Sequence, residues 1–214
     1  MSTRPETSPQ SDAMAFSIAA KLRSATHVDH KNLEQVPLLA RLLNHDLTHE
    51  EYSAVLLGFY HFYAPLEPFL SPFAPYRYHS RQQALSSDLN ALGISLPKVE
   101  KSKFISSQES LTRDEQLLAA FAILYVIEGS TAGGQIISRR IERINPSLPM
   151  SFFQIWQRQP DTWQAWRQWS VEVDHEFKSN LLNKCHFDFI IAHASATFNE
   201  LQAIFRSQSP HIAT

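Results

Sequence analysis

Cysteine, positive charge and long hydrophobic runs are all scarce in this chain of 214 residues. The single cysteine, Cys185, cannot form a disulfide within the chain, and the start Met1–Glu6 lacks the apolar core of a signal peptide. A formal net charge of −2 gives no field that would attract nucleic acid or an anionic membrane. The longest apolar stretch is interrupted by Glu128, so no membrane span is expected. These absences predict a soluble, cytoplasmic protein that binds neither nucleic acid nor membrane.

The chain divides into a polar tail and one domain. Residues 1–13 are rich in Ser, Thr, Pro and Gln, a composition that predicts a disordered tail. With 43% hydrophobic residues, the rest is long enough to bury one core, and we predict a single domain over residues 14–208. Strand-like alternation and hairpin turns are almost absent, whereas apolar residues recur at helical spacing. The sequence therefore predicts an all-α fold.

Capping residues and prolines set the predicted helix limits. Capping boxes begin at Thr48 and at Thr112, and Gly93 ends a shorter helix. The first predicted helix runs from Phe16 to about Gln35 and ends near Pro37. A second helix begins at Thr48 and is strained near Pro65 and Pro68. Further helices are predicted over 80–92, 112–144, 162–184 and 187–205, with a connection rich in serine and lysine over 97–110.

Three of the five glycines lie in one six-residue window, Gly129–Gly134, inside the longest predicted helix. Each glycine in a helix interior costs roughly 1 kcal/mol relative to alanine, so something has to approach the backbone closely there. Gly129 and Gly133 are four residues apart and share one helix face. Spacing alone leaves two explanations open, which are close packing of another helix, the commoner use of such pairs, and a platform for a ligand.

The ten histidines show no pattern of paired metal ligands such as HExxH or repeated Glu-x-x-His, so a dinuclear carboxylate site is not expected. His30 differs from the others because Glu34 lies one helical turn later, where its carboxylate could accept the second imidazole proton. Such pairs also arise by chance on solvated helices. Trp163, Trp166 and Trp169 recur at spacings of three and predict a stripe facing the core.

Two segments carry a resemblance to a known family. Leu22–Glu34 resembles the proximal helix of haem oxygenases, in which a Thr-x-x-x-His turn presents the axial histidine, and Tyr125–Gln135 resembles their glycine-rich distal helix. The histidine near the N-terminus and the glycine window roughly a hundred residues later also follow the family's order. The form Glu-Gly-Ser-Thr-x-Gly-Gly is most similar to the bacterial enzymes that supply biliverdin to bacteriophytochromes.

The resemblance implies a helical bundle that holds haem between a proximal and a distal helix. Haem b would be both substrate and cofactor, and O2 with reducing equivalents would convert it to biliverdin, expected as the IX-alpha isomer, with CO and Fe2+. The implied partners are an electron donor, whether ferredoxin, flavodoxin or a reductase, and a bacteriophytochrome as biliverdin acceptor. The implied site residues are His30 as iron ligand, Glu34 beside it, Arg23, His27 and Lys178 toward the propionates, and Gly129, Ser130, Gly133 and Gly134 on the distal side.

The same residues show one difference from the family pattern and leave other functions open. Ser130 stands where the mammalian enzymes carry an Asp that organises distal water, so the route of proton delivery differs. A protein of the same fold could instead bind or carry haem without oxidising it. Members of the wider fold group that bind a thiamine precursor or a di-iron centre need a pocket cysteine or repeated Glu and His ligands, and neither pattern is found.

Overall fold

This computed structural model describes residues 17–74, 78–158, 160–179 and 182–208. All regular elements within these ranges are helical, which confirms the all-α prediction, whereas the predicted tail lies outside the described residues. Numbered along the chain, the helices are α1 (Ile18–Ala25), α2 (His27–Glu34), α3 (Pro37–Ala40), α4 (His49–Leu70), α5 (Arg81–Ala91), α6 (Lys103–Glu109), α7 (Arg113–Ile144), α8 (Ile155–Arg158), α9 (Pro160–Lys178) and α10 (Lys184–Gln208).

The predicted first helix is two helices, because the chain leaves helical geometry at Thr26. This residue has φ −97° and ψ 7°, and it separates α1 from α2. Thr26 is buried, and its hydroxyl donates a hydrogen bond of 2.8 Å to the carbonyl of Leu22. The buried threonine thus anchors the turn from which His30 projects one turn later. α2 ends at Glu34, close to the predicted end near Pro37. Pro37 itself begins α3, where its missing N–H would have no helical acceptor.

Two capping predictions are confirmed, and the predicted connection over 97–110 is partly wrong. Thr48 and Thr112 each cap a helix in a complete capping box, so that α4 and α7 begin as predicted. α4 continues through Pro65 and Pro68 to Leu70, because its burial in the core outweighs the lost backbone hydrogen bonds. The connection over 97–110 contains a further short helix, α6, which has Ser102 as its N-cap.

The helices α7 and α10 form the centre of the bundle. α10 packs along α7 and also contacts α4 and α2, while α5 packs on α4. By length and composition α7 could cross a membrane, but 56% of its most apolar window is buried within this fold, as in the core helix of a globular domain. Its C-terminal half carries the glycine window.

Close contact between α4 and α10 depends on Gly58. A Cβ atom at this position would overlap the ring of Phe205, which is fully buried. We expect Gly58→Ala to lower the free energy of unfolding by about 1–3 kcal/mol, because the added methyl group overpacks the core. Urea denaturation measures this change, and an unchanged midpoint would show that the Phe205 ring moves aside without cost.

Candidate functional site

A cavity of about 520 Å³ lies between α2 and the glycine window of α7. This volume is in the usual range for sites that bind small molecules and cofactors. Its lining is mostly apolar, and Leu201 of α10 contributes to it. The wall from α2 consists of His30, Leu33 and Glu34, the opposite wall includes Gly129, Ser130, Thr131, Gly133 and Gly134, and aromatic side chains come from Phe59, Tyr63, Phe152 and Phe153.

His30 stands on the α2 wall with its ring open to the cavity. Its Nδ1 atom lies 3.4 Å from Oε1 of Glu34, a contact that is longer than an ordinary hydrogen bond. The ring meets Phe198 edge-on, with 5.7 Å between the ring centroids. Glu34 and Phe198 together restrict the orientation of the imidazole. Because Nδ1 faces Glu34, Nε2 is the nitrogen available to a ligand in the cavity.

The glycines of the window have two different roles. A Cβ atom added to Gly129 or to Gly133 would meet nothing within 4 Å, so these two positions leave open space on the cavity side of α7. A Cβ atom on Gly134 would lie 3.3 Å from the backbone oxygen of Phe153. Gly134 therefore allows close packing of the segment after α7, whereas Gly129 and Gly133 form a face without side chains. Of the two explanations that the spacing left open for Gly129 and Gly133, close packing against protein is not seen at either position among the described residues.

The hydroxyl groups beside this face donate hydrogen bonds to backbone carbonyls of α7. Ser130 Oγ donates to the carbonyl of Val126 at 2.5 Å, and Thr131 Oγ1 donates to the carbonyl of Ile127 at 2.9 Å. Each hydroxyl keeps its lone pairs as acceptors, but its single proton is already used. Ser130 can thus accept a hydrogen bond from a water in the cavity but cannot donate one in this arrangement.

A second cavity, of about 620 Å³, adjoins the first around His30, Gly129 and Ser130. Its lining contains the basic side chains of Arg23 and Arg167 together with His27. Asp174 is its acidic residue, and one oxygen of this carboxylate accepts the backbone N–H of Ile18 at 2.5 Å. The second cavity is therefore suited to anionic groups that extend from a ligand in the first.

Comparison with known proteins identifies the family. The family model described as "Heme oxygenase" matches residues 16–206 of the chain. The chain belongs to the haem oxygenase family. No curated protein matches the sequence significantly.

Solved haem oxygenase structures share the fold of this family member. Heme oxygenase-1 from the cyanobacterium Synechocystis sp. PCC6803, in complex with heme, is 19% identical with a TM-score of 0.65, and the match covers 90% of this chain and 92% of that one. Heme oxygenase from Leptospira interrogans is 23% identical with a TM-score of 0.68, over 89% and 99% of the two chains. Heme oxygenase-2 from Synechocystis sp. PCC 6803, in complex with heme and NO, is 18% identical with a TM-score of 0.63, over 90% and 85%. At these identities the structures show the common fold.

The residues of this haem oxygenase fit the group that the family degrades. Gly129 and Gly133 provide a flat cradle that a Cβ atom would fill, which suits a planar ring lying against α7. His30 offers one imidazole to that ring from the opposite wall, and the lining between them is mostly apolar. No group of three or more His, Cys, Asp or Glu side chains that could hold a metal ion is found within the described ranges. Cys185 is exposed and lines neither cavity.

The structure brings most of the predicted site residues together but leaves Lys178 apart. Arg23 and His27 line the second cavity beside His30, as their assignment to the propionates requires. Lys178, the last residue of α9, is exposed and lines neither cavity. Arg167, about three turns earlier on the same helix, reaches the second cavity instead. Sequence analysis missed Arg167, although it adjoins the tryptophan stripe and so lies near the face of α9 that packs inward.

The tryptophan stripe has two roles rather than one. Trp166 is buried and stacks on Phe121 with 5.8 Å between ring centroids, and Trp169 meets the same ring edge-on at 5.2 Å. These contacts confirm that the stripe belongs to the core. Trp163 and Trp166 also line the second cavity, so the same stripe forms one wall of the site.

Proposed function

We propose that the first cavity binds haem b with its iron on Nε2 of His30 and its other face against Gly129 and Gly133, and that the ring is opened to biliverdin IX-alpha. The chain is a haem-degrading oxidoreductase that yields biliverdin, CO and Fe2+ from haem, O2 and reducing equivalents. The observation that carries the proposed geometry is a histidine and a helix face without side chains on opposite walls of one apolar cavity.

In this proposal the protein controls geometry and water, while the bound haem supplies the iron that activates O2 and is itself the substrate. Glu34 orients the His30 ring and favours the tautomer that leaves Nε2 free of a proton. The glycine face restricts the space above the ring to a small ligand. Phe59, Phe152 and Phe153 exclude bulk water from the cavity. The Ser130 hydroxyl accepts a hydrogen bond from cavity water and does not replace an acidic group.

The propionates of haem would extend into the second cavity toward Arg23, His27 and Arg167. We expect Arg167→Gln to weaken haem affinity about fivefold, which is the effect of losing one partly solvated ion pair of about 1 kcal/mol. Lys178→Gln removes a cation from the same helix outside both cavities and tests the assignment made from sequence. Titration of each variant with haemin compares the two. A larger loss of haem affinity in Lys178→Gln than in Arg167→Gln would contradict the placement of the propionates in the second cavity.

The finer parts of the proposal concern the product isomer and the partners. The IX-alpha isomer and a bacteriophytochrome as acceptor are supported by the Glu-Gly-Ser-Thr-x-Gly-Gly form of the distal segment. We assign the supply of electrons to a ferredoxin, a flavodoxin or a reductase, because the conversion of haem to biliverdin with O2 consumes reducing equivalents. A cytoplasmic location is part of the same proposal and accords with the single exposed cysteine.

The function is tested by supplying haemin to the purified protein, adding ascorbate or a reduced ferredoxin system in air, and identifying the extracted pigment by chromatography. We expect biliverdin IX-alpha with release of CO and chelatable iron. A different biliverdin isomer would contradict the proposed seating of haem but not the reaction. A stable haem complex without ring opening would indicate a haem carrier, and absence of haem binding would contradict the function altogether.

A further inference from the structure

The distal wall of the first cavity contains a buried ion pair. Arg81 Nη2 lies 2.7 Å from Oε2 of Glu128, and the two side chains are 1% and 0% exposed. Glu128 directly precedes Gly129, and Arg81 is among the residues that line the cavity. A buried ion pair is often no more stable than apolar side chains of the same volume, because both charges must leave water. This costly arrangement next to the glycine face therefore points to a functional reason.

Arg81 is held in place from several directions. Glu67 accepts hydrogen bonds from the backbone N–H of Arg81 at 2.5 Å, from Ser80 Oγ at 2.5 Å and from the hydroxyl of Tyr78 at 3.0 Å. The guanidinium group lies 4.8 Å from the centre of the Tyr78 ring and donates to the carbonyl of His79 at 3.2 Å. These contacts fix the start of α5. Because Arg81 is bonded to Glu128, it also fixes the position of the residue directly before Gly129.

Tyr63 adds a hydroxyl group to the lining of this cavity. Its side chain lines the cavity and is 5% exposed. The protons of Ser130 and Thr131, by contrast, are bound to carbonyls of α7. Burial raises the pKa of Tyr63, and the positive charge of Arg81 opposes that rise. The phenol therefore stays protonated and keeps its proton as a hydrogen-bond donor.

We propose that Arg81 is a positioning residue of the distal side, which fixes Glu128 and the glycine window and, together with the Tyr63 hydroxyl, orients a small polar ligand on the haem face opposite His30. The inference rests on the proposed function. It explains how a ligand is oriented on the distal side of a chain that carries Ser130 where the mammalian enzymes have an acidic residue. The donor and the charge come from α4 and α5 rather than from the glycine helix itself.

The test uses CO as a probe in the reduced haem complex of the full chain. A donor or positive charge facing bound CO lowers the C–O stretching frequency, so Tyr63→Phe and Arg81→Met are expected to raise it, with Arg81→Lys between Arg81→Met and wild type. Biliverdin formation is expected to fall about tenfold or more in Tyr63→Phe, because a donor aimed at developing charge is lost. Tyr60→Phe, the same change one turn earlier at a buried tyrosine outside the cavity lining, is the matched control.

Thermal melting shows which variants are folded, and so separates an effect on the distal ligand from a loss of structure. Removing the Arg81 side chain from the buried ion pair can prevent folding. If Arg81→Met does not fold, the test rests on Tyr63→Phe, which leaves the pair intact, and on Glu128→Gln, which keeps nearly the same shape. Unchanged CO stretching and unchanged turnover in folded Tyr63→Phe and Glu128→Gln would overturn the inference while leaving the proposed function intact. A wild-type chain that binds no haem would overturn both.

Discussion

His30→Ala is expected to reduce biliverdin formation by about a hundredfold or more, a loss of roughly 2.7 kcal/mol of transition-state stabilisation. The described lining of the first cavity contains no second histidine that could replace it, since His27 lines the second cavity. The His30 side chain is 48% exposed, and alanine is the better helix former, so the variant should fold with unchanged or slightly higher stability. Turnover measures the loss of biliverdin formation, and thermal melting measures the stability of the variant.

The control for His30→Ala is His175→Ala, which removes an exposed histidine of α9 that lines neither cavity. Glu34→Gln should have a smaller effect, a decrease of about 10–100-fold in haem affinity or activity, because Glu34 acts only through the His30 ring. Turnover in His30→Ala equal to that of His175→Ala would contradict the assignment of the iron ligand. A larger loss in Glu34→Gln than in His30→Ala would do so as well.

Gly129→Ala and Gly133→Ala are expected to change stability and haem binding in opposite directions. In the free protein the added methyl group meets nothing within 4 Å, so each substitution should raise the free energy of unfolding by roughly 1 kcal/mol through helix propensity alone. With haem present, the same methyl group would occupy the space of the ring. We therefore expect haem affinity to fall roughly tenfold, or about 1.4 kcal/mol. Urea denaturation without haem and titration with haemin measure the two effects.

Gly134→Ala is the matched control within the same window. Its added methyl group would press on the backbone oxygen of Phe153 at 3.3 Å, so the gain in helix propensity should be largely offset and haem binding should change less. The outcome that contradicts this view is a loss of stability in both Gly129→Ala and Gly133→Ala. Such a loss would mean that the face packs against protein and is not a ligand platform.

The helices could be predicted where a local signal marks their ends. The capping boxes at Thr48 and Thr112 and the turn at Gly93, which has φ +73°, are signals of this kind. The break at Thr26 has no such signal, because no proline or glycine lies near it and the apolar spacing continues across it. The end of α4 at Leu70, beyond Pro65 and Pro68, depends on burial against helices distant in sequence and has no local signal.

The site shows the same division between local and distant contacts. His30 and Glu34 lie one turn apart on a single helix, and the glycines occupy one short window, so sequence alone could single them out. The pair formed by Arg81 and Glu128 joins residues 47 positions apart, and Glu128 was visible only as a break in an apolar run. Arg167 was missed for a similar reason, because its place beside His27 depends on how α9 packs against α1.

The central claim is that haem lies between His30 and the glycine face of α7. A crystal structure of the ferric haem complex tests it most directly. We expect Nε2 of His30 on the iron, the ring plane against Gly129 and Gly133, and the propionates in the second cavity near Arg167. Iron bound to His27, or a ring lying in the second cavity with the glycine face uncovered, would contradict the account.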